Sequence, residues 1–251
     1  MRALTAWAPE GIPDIRPRTD LVSVIVQALR SGEPPADGDV LVVAQKVVSK
    51  AEGRVRHLAE VVPGEEAGRL AERSGKDPRL AQIILDEARA VLRVRPGLII
   101  AEHRLGYVCA NAGVDHSNVG LGEDWVCLLP VNPDESALKI RRAVGDAFGV
   151  DVAVVINDSH GRPFREGTVG VALGTAGLEP LLSFIGQEDR YGYMLRASVE
   201  AVADELAAAA NLLQGQAAEG TPLVVIRGAR FIRGTSVTGK LLRVPEKDMF
   251  R

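Results

Sequence analysis

The sequence is short of cysteine and of excess charge, and each shortage excludes a class of protein. Its 251 residues include only two cysteines, Cys109 and Cys127, both in apolar segments. Two thiols are too few for a disulfide framework or a zinc site, so we expect reduced core residues in a cytoplasmic protein. The net charge is −3, from 30 Lys and Arg against 33 Asp and Glu. Bulk positive charge therefore does not hold this chain on nucleic acid.

Long apolar runs are also missing. No uninterrupted run approaches the ~18 residues of a membrane-spanning helix, and the N-terminal segment MRALTAWAPEGIPD lacks the apolar core of a secretory signal. We expect a soluble protein that has no membrane partner. Apolar residues make up 46% of the chain and charged residues 25%, the balance of an ordinary globular protein with one large domain or two small ones.

Several catalytic motifs are absent as well. The chain has no G-x-G-x-x-G, G-x-S-x-G or H-E-x-x-H sequence, which argues against a dinucleotide dehydrogenase, an α/β-hydrolase and a zinc protease. The segment GTSVTGK, from Gly234 to Lys240, has the spacing of a phosphate-binding P-loop. However, Leu241 stands where that loop needs Ser or Thr, and Pro245 interrupts the helix that must follow. We therefore reject a P-loop.

What the chain does contain is an alternation of strand and helix patterns, which predicts an α/β fold. Short apolar segments predict strands at residues 39–44, 98–101, 125–131, 152–156 and 222–226. Amphipathic segments predict helices over residues 20–32, 79–94, 137–149 and 199–215. Their predicted starts are Thr19, Asp77-Pro78, Ser136 and Ser198.

Polar residues follow the first predicted strand within QKVVSKAEG, residues 45–53. Ligand sites of α/β sheets lie beyond the carboxyl ends of strands. There, Lys46 and Lys50 would supply positive charge to a phosphate and Ser49 a hydroxyl donor. The alternative is that both lysines point into solvent, as lysines at strand ends commonly do.

A second polar segment is NAGVDHSNVG, residues 111–120. Its oxygen donors, among them Asp115, Ser117 and Asn118, suit a hard cation such as Mg²⁺ or Mn²⁺. The alternative is a simple turn, because Asn, Asp, Ser and Gly are turn formers. His116 is not a zinc ligand on this pattern, since no second His or Cys stands at a ligand spacing.

The third segment, residues 152–177, combines the most features. An apolar strand leads into Asn157-Asp158-Ser159 and then into a predicted glycine-punctuated loop with Arg162 and Arg165. Asp158 is placed to hold a metal ion, Ser159 to complete its shell, and the arginines to neutralise phosphate oxygens. Glycines would permit close backbone approach or positive φ. The alternative is a glycine-rich connection with solvated arginines.

Together these segments resemble one family in order and spacing, the coenzyme F-420-0:L-glutamate ligase (gamma-glutamyl ligase) family. The resemblance is carried by QKVVSKAEGR, NAGVDHSNVG, NDSHGRPFREG with VALGTAGLEPL, VADELAAAANLLQGQ before TPLVVIRG, and the ending LLRVPEKDMFR. It extends from about Gly11 to Arg251.

The resemblance implies a reaction and a fold. Members of the family join L-glutamate to the deazaflavin coenzyme F-420-0 with GTP, through an acyl phosphate, and require Mn²⁺ or Mg²⁺, often two ions, with K⁺ as a helper. The implied fold is a distinctive α/β one, a mixed sheet with flanking helices, in an intertwined homodimer. We expect residues 1–251 to form one stand-alone unit, in one lobe or two, without the C-terminal reductase-like domain that some members carry.

The resemblance also implies roles for individual residues. Asp115, Asp158 and Ser159 would hold the metals, with Asp115, Asp158 and Lys50 as the catalytic set. Asn118, Lys50 and Gln45 would contact GTP, as would Ile12, Pro13, Asp14 and Ile15, and residues 227–234 match a region that closes over the nucleotide. Lys46, Arg162 and Arg165 are added here as phosphate-neutralising candidates. Since Asp115 and Asp158 are 43 positions apart, only the fold can bring them together.

Two departures from the family pattern keep other functions open. His160 stands where an apolar or aromatic residue is usual, and Thr168 where glutamine is expected. The same chemistry on another carboxylate acceptor is therefore one alternative. A nucleotide-binding regulatory protein without turnover is the other, although binding alone does not need the paired acids Asp115 and Asp158.

Overall fold

A computed structural model describes residues 3–249. The first two and last two residues, which belong to the expected 1–251 unit and include the end of the family-like terminus, lie outside the described residues. Within the described range, the helices are α1 (Leu21–Ser31), α2 (Gln45–Ala51), α3 (Glu65–Ser74), α4 (Pro78–Glu87), α5 (Pro133–Phe148) and α6 (Val202–Gln214). The strands there are β1 (Thr5–Trp7), β2 (Val40–Ala44), β3 (Val55–His57), β4 (Ala88–Arg95), β5 (Leu98–His103), β6 (Val108–Ala110), β7 (Trp125–Cys127), β8 (Ala153–Arg162), β9 (Arg165–Ala176), β10 (Leu182–Ser183), β11 (Val199–Glu200) and β12 (Leu223–Arg227).

The largest sheet has five strands in the order β1-β12-β2-β8-β9. Its β2 and β8 run parallel, while the other neighbouring pairs run antiparallel. The expectation of an α/β fold with a mixed sheet is thus confirmed. β2 and β8 are parallel and paired up to Ala44 and Asn157, and β8 then continues to Arg162, past the carboxyl end of β2.

Helices cover both faces of this sheet, which explains why its central strands are apolar throughout. Leu41 and Val43 of β2 pack with α1 and α5. Val40 and Val42, which point to the opposite face, pack with the alanine-rich α6. A strand alternates its side chains between faces, so a strand buried on both sides shows no polar alternation.

A second core lies outside the main sheet. The antiparallel β4-β5-β6 sheet, α3 and α4 contribute to it, with residues such as Leu70, Ile84 and Ile99 buried at its centre. Ala112 and Val114, which precede Asp115 in the chain, also belong to this cluster. The segment that carries Asp115 therefore starts from this second core.

Several predicted boundaries were wrong. The helix predicted over residues 79–94 ends at Glu87, and β4 follows at once because residues 88–95 pair with β5. Asp20, not Thr19, caps α1 by accepting from the Ser23 N–H at 3.1 Å. The start of α5 is Pro133 rather than Ser136, and that of α6 is Val202 rather than Ser198.

The prediction of a glycine-punctuated loop after Ser159 was also wrong, since this segment forms a long β-hairpin. β8 continues to Arg162 and pairs with β9 from Arg165 to Ala176. Two strand glycines make room for helices: a Cβ on Gly170 would lie 2.3 Å from the Ala207 carbonyl oxygen of α6, and one on Gly174 would lie 2.4 Å from the Pro133 backbone at the start of α5. The prediction that these glycines permit a close approach to the backbone was correct. The groups that approach them belong to helices and not to a ligand.

Both cysteines are free and buried, as expected. Burial raises the pKa of Cys109 to about 12 and that of Cys127 to about 11, so both thiols stay protonated near neutral pH. In the described part of the chain, no helix is both long enough and apolar enough to cross a membrane.

Candidate active site

A cavity of about 500 Å³ opens at the carboxyl end of β2, beside residues 157–159 in the middle of β8. Eleven of the residues predicted to bind or react line this one cavity, namely Ile12, Pro13, Asp14, Ile15, Gln45, Lys46, Lys50, Asp115, Asn118, Asp158 and Ser159. They come from four separate stretches of the chain, which only folding brings together. Their individual roles stay predictions.

The short helix α2 presents one side to the cavity. It begins at Gln45, directly after β2, so residues four apart lie one turn apart on the same side. Lys46 and Lys50 form one such pair. Gln45 and Ser49 form the other, and the Ser49 hydroxyl donates to the Gln45 side-chain oxygen at 2.9 Å, which fixes this buried amide at the cavity wall.

Lys50 is almost completely buried, with 6% of its side chain exposed. Its ammonium donates to Asp14 Oδ1 at 2.8 Å. The hydrogen bond and charge of Lys50 lower the pKa of Asp14, so the carboxylate is charged at neutral pH. Residues 12–15, which are predicted to contact GTP, are thus held next to α2 by an ion pair.

Asp115 lies in a tight polar turn. Its Oδ1 accepts from the Ser117 N–H at 2.9 Å and its Oδ2 from the Ser117 hydroxyl at 2.6 Å. The Lys46 ammonium also donates to Oδ2, at 2.5 Å. Burial by itself would raise the pKa of Asp115, but the hydrogen bond and charge of Lys46 outweigh burial and lower it.

Strained backbone precedes Asp115. Asn111, Ala112 and Gly113 have positive φ values of 52°, 49° and 72°, a left-handed conformation that L-residues rarely adopt in succession. A Cβ on Gly113 would lie 2.5 Å from the Leu129 side chain, so glycine is required there. Backbone hydrogen bonds in both directions with Cys127 then anchor Asp115 itself. Strain of this kind is common where a functional side chain is held in place.

Asp158 lies on the extended part of β8, where the strand passes the cavity. Its Oδ2 is 3.2 Å from His160 Nε2, two residues further on the same face of the strand. His160, one of the two departures from the family pattern, is therefore in direct contact with a predicted metal ligand. Thr168, the other departure, is exposed on β9.

The opposite face of β8 is joined to α6 by side-chain amides. Asn157 and Gln214 exchange two hydrogen bonds, of 2.7 and 3.1 Å. The Ser159 hydroxyl donates to the Asn211 side-chain oxygen at 3.0 Å and accepts from Gln216 at 2.7 Å. These contacts hold the Ser159 hydroxyl in place at the cavity wall.

Sequence reasoning missed the cavity wall formed by the end of α6 and the loop after it. Asn211, Gln214, Gln216 and the residues 217–222 line the cavity. The Asn118 amide donates to the Ala217 carbonyl at 3.0 Å, so this loop reaches the Asp115 turn. A usable signal was present, since carboxamides three residues apart at the end of an alanine-rich helix have no role in an apolar core.

Three predicted groups are elsewhere. Arg162 and Arg165 do not line the cavity; Arg162 donates to the Glu166 carbonyl at 2.7 Å in the hairpin, and Arg165 is exposed. No residue of the segment 227–234 lines the cavity either, and Arg227 pairs with Asp39 at the start of β2. The closing of residues 227–234 over the nucleotide stays a prediction.

The P-loop-like segment has a structural role. Lys240 donates to Glu179 at 3.0 Å, and the Thr238 hydroxyl donates to Asp134 at 2.6 Å. The segment ends within a short 3₁₀ helix, Thr238–Leu241, where a P-loop would begin a long helix. These contacts differ from those of a loop that binds phosphate through a following helix N-terminus.

The donor atoms around the cavity suit a hard divalent cation. Asp115 and Asp158 offer carboxylate oxygens and Ser159 a hydroxyl, which are the ligands that Mg²⁺ and Mn²⁺ prefer. Among residues 3–249, no three His, Cys, Asp or Glu side chains gather into a complete metal cage. Mg²⁺ usually takes only one or two protein carboxylates and completes its shell with water and substrate phosphates, so the partial donor set fits that use.

The chain matches known proteins over most of its length. Residues 11–228 match the family model described as F420-0:Gamma-glutamyl ligase. The chain is 48% identical over 245 residues to the coenzyme F420:L-glutamate ligase of Methanothermobacter thermautotrophicus, covering 96% of each protein. It is 46% identical to the ligase of that name from Methanopyrus kandleri, over 94% of this chain and 93% of the relative, and 45% identical to that of Halobacterium salinarum, over 90% and 87%. On these matches, the chain belongs to the F420-0:gamma-glutamyl ligase family.

Proposed function

We propose that the protein is a GTP- and divalent-metal-dependent ligase that joins L-glutamate to coenzyme F-420-0. The observation that carries this proposal is the convergence of Asp115 and Asp158 with Lys46 and Lys50 in one cavity. Carboxylates for metal ions and lysines for phosphates are what a phosphoryl-transfer site requires. The relatives named coenzyme F420:L-glutamate ligase support the choice of substrates.

The proposed reaction has two steps. A carboxylate oxygen of the acceptor first attacks the γ-phosphorus of GTP, the bond to the β-phosphate oxygen breaks, and GDP leaves. The amine of L-glutamate then attacks the carbonyl carbon of the acyl phosphate. The carbon–oxygen bond to phosphate breaks, the amine loses a proton, and the amide and inorganic phosphate are formed. The first step makes the second possible, because phosphate is a far better leaving group than an oxide ion.

The residues of the cavity divide this work. Lys50, fixed by burial, would neutralise phosphate oxygens, while Gln45, Asn118 and residues 12–15 would hold the rest of the nucleotide. Asp115, Asp158 and Ser159 would hold the divalent cation, and a bound cation would supply charge neutralisation and alignment of the phosphates. K⁺ remains part of this proposal as a helper ion.

Other parts of the proposal rest on the family. These are the intertwined homodimer, the distinctive gamma-glutamyl ligase fold and action in the cytoplasm. Arg162 and Arg165 keep a proposed role toward an anionic ligand, although they lie outside the cavity wall.

An oxygen-transfer experiment tests the chemistry. The acceptor is labelled with ¹⁸O in its carboxylate and incubated with the protein, GTP, Mn²⁺ and L-glutamate. We expect one labelled oxygen in each phosphate released, because the acyl phosphate passes an acceptor oxygen to phosphorus. Unlabelled phosphate would contradict the mechanism, and bound GTP that is never cleaved would favour the regulatory alternative.

The His160 contact with Asp158 motivates the acceptor alternative. Offering several carboxylate acceptors in one mixture with L-glutamate separates the two. Preferential mass gain by an acceptor other than F-420-0 would show that the chemistry is right and the substrate wrong.

A further inference from the structure

Lys46 is enclosed by oxygen atoms in a way that Lys50 is not. Its ammonium is 2.5 Å from Asp115 Oδ2, 2.6 Å from the Ser117 carbonyl oxygen and 3.0 Å from the Ser117 hydroxyl oxygen. An ammonium has three N–H donors, and these three oxygens use all of them. The side chain is largely buried, with 18% exposed.

This arrangement prevents Lys46 from binding a phosphate at the same time. A phosphate oxygen would need an N–H that is already donated, so Lys46 must first give up Asp115 or Ser117. Lys50, in contrast, makes one such bond within the described residues, to Asp14 Oδ1. Two lysines one turn apart on α2 therefore differ in the donors that they have left for a ligand.

Asp115 is equally occupied. Its Oδ2 accepts from both Lys46 and the Ser117 hydroxyl, and its Oδ1 accepts from the Ser117 N–H. A divalent cation that takes this carboxylate competes with an ammonium already bound to the same oxygen. Two cations on one carboxylate oxygen repel each other, and the flexible four-carbon stem of lysine lets the ammonium move.

We propose that Lys46 is a built-in counter-ion of the cation site, which exchanges Asp115 for a nucleotide phosphate oxygen when a divalent cation binds. The proposal rests on the proposed function in that it takes Asp115 as a metal ligand. It makes Lys46 the link between the two ligands: the cation frees the lysine, and the freed lysine strengthens nucleotide binding. Such coupling is reciprocal, so nucleotide must tighten cation binding by the same factor.

The first test is Mn²⁺ binding without nucleotide, measured by the electron paramagnetic resonance signal of free Mn²⁺. Lys46→Met removes the competing ammonium and keeps most of the side-chain volume. We expect it to bind Mn²⁺ at least about fivefold more tightly than the wild type, the lower end of typical coupling between sites. Lys46→Arg keeps a positive charge beside Asp115, so its Mn²⁺ affinity is expected to stay close to that of the wild type.

Lys50→Met is the matched control, because it removes the same charge one turn away, from a lysine paired with Asp14. General loss of positive charge would tighten Mn²⁺ equally in both methionine variants, whereas competition for Asp115 tightens it mainly in Lys46→Met. If circular dichroism shows that Lys46→Met is unfolded, Lys46→Gln takes its place in the same comparison.

The second test is GTP affinity with and without Mn²⁺. Lys46→Met is expected to weaken GTP binding at least about fivefold when Mn²⁺ is present and to leave it unchanged when Mn²⁺ is absent. Mn²⁺ binding no tighter than in the wild type, or tightened equally in Lys50→Met, would overturn the exchange. Failure of the proposed function is a separate result, in which wild-type protein binds Mn²⁺ and GTP but forms no amide.

Discussion

Arg18 has a backbone conformation that is unfavourable for a residue with a side chain. The Thr19 N–H donates to the Arg16 carbonyl at 3.0 Å, which closes a four-residue turn with Pro17 second and Arg18 third. Arg18 has a φ of 69°, and glycine or asparagine is the usual residue at a positive-φ third position of a turn. Replacing Arg18 by glycine is therefore expected to raise the free energy of unfolding by about 0.5–1 kcal/mol, since relief of the left-handed strain exceeds the added chain entropy.

Urea unfolding of Arg18→Gly beside Arg16→Gly measures this effect. The control makes the same chemical change at an exposed neighbour that lacks a positive φ, where added chain entropy should lower stability. Equal destabilisation in both variants would show that Arg18 is not strained.

Individual site residues could be predicted where a charged side chain follows a buried strand, because a hydrophobic core does not need such side chains. Lys46, Lys50, Asp115 and Asp158 were identified as polar residues beside buried strands, and all four line the cavity. Their partners were not predictable. The contact between Lys46 and Asp115 joins positions 69 apart in the chain, and no local pattern encodes that distance.

At the scale of elements, the sequence predicts strands and helices best where the burial pattern is simple. β2 and β12 follow the apolar segments closely because both faces are covered. β8 was predicted too short, since Asn157-Asp158-Ser159 resembles a turn. Pairing with β9 and amide contacts from α6 satisfy these polar residues within a strand, and such long-range satisfaction overrides local propensity.

The boundary between α4 and β4 was missed for a related reason. Residues 88–94 continue an apolar pattern that fits a helix, but pairing with β5 makes them a strand. The loop after α6 was missed because its function as a cavity wall depends on contacts with the Asp115 turn. Neither contact is visible in a local stretch of sequence.

At the scale of the whole molecule, the second core contains a buried ionic cluster. Glu87 Oε2 accepts from Arg54 at 2.6 Å and lies 3.1 Å from Arg104 and 3.2 Å from His103 Nε2. His103 Nδ1 accepts from the Leu105 N–H, which leaves Nε2 to carry the proton that is donated to Glu87. Arg54 also donates to the Leu129 carbonyl, so the cluster joins α4 to the segment after β7.

Removing the Glu87 charge is expected to destabilise the protein. Glu87→Gln would leave the buried Arg54 without its anion, which typically costs about 3–5 kcal/mol. Burial would raise the pKa of Glu87, but hydrogen bonds from His103 and Arg54 and nearby positive charge lower it below 4.5. Its stabilising effect is therefore present above the unfolded value of 4.5 and disappears as the pH falls through the lower native value.

Denaturant unfolding of the wild type and Glu87→Gln at several pH values between 7 and 3 measures both effects. The gap between the two proteins should be largest at pH 7 and narrow on acidification. A gap that stays constant over this range would mean that ionisation of Glu87 contributes nothing to stability.

The candidate active site depends on the whole molecule, because Asp115 adjoins the second core and Asp158 lies on the main sheet. The most direct test is mass spectrometry of F-420-0 after incubation with GTP, Mn²⁺, L-glutamate and either the wild type or Asp158→Asn. The substitution is nearly isosteric but removes a charged metal ligand. We predict a gain of one or more glutamyl units with the wild type and none with a folded Asp158→Asn. No gain with the wild type, or an equal gain with both proteins, would contradict the account.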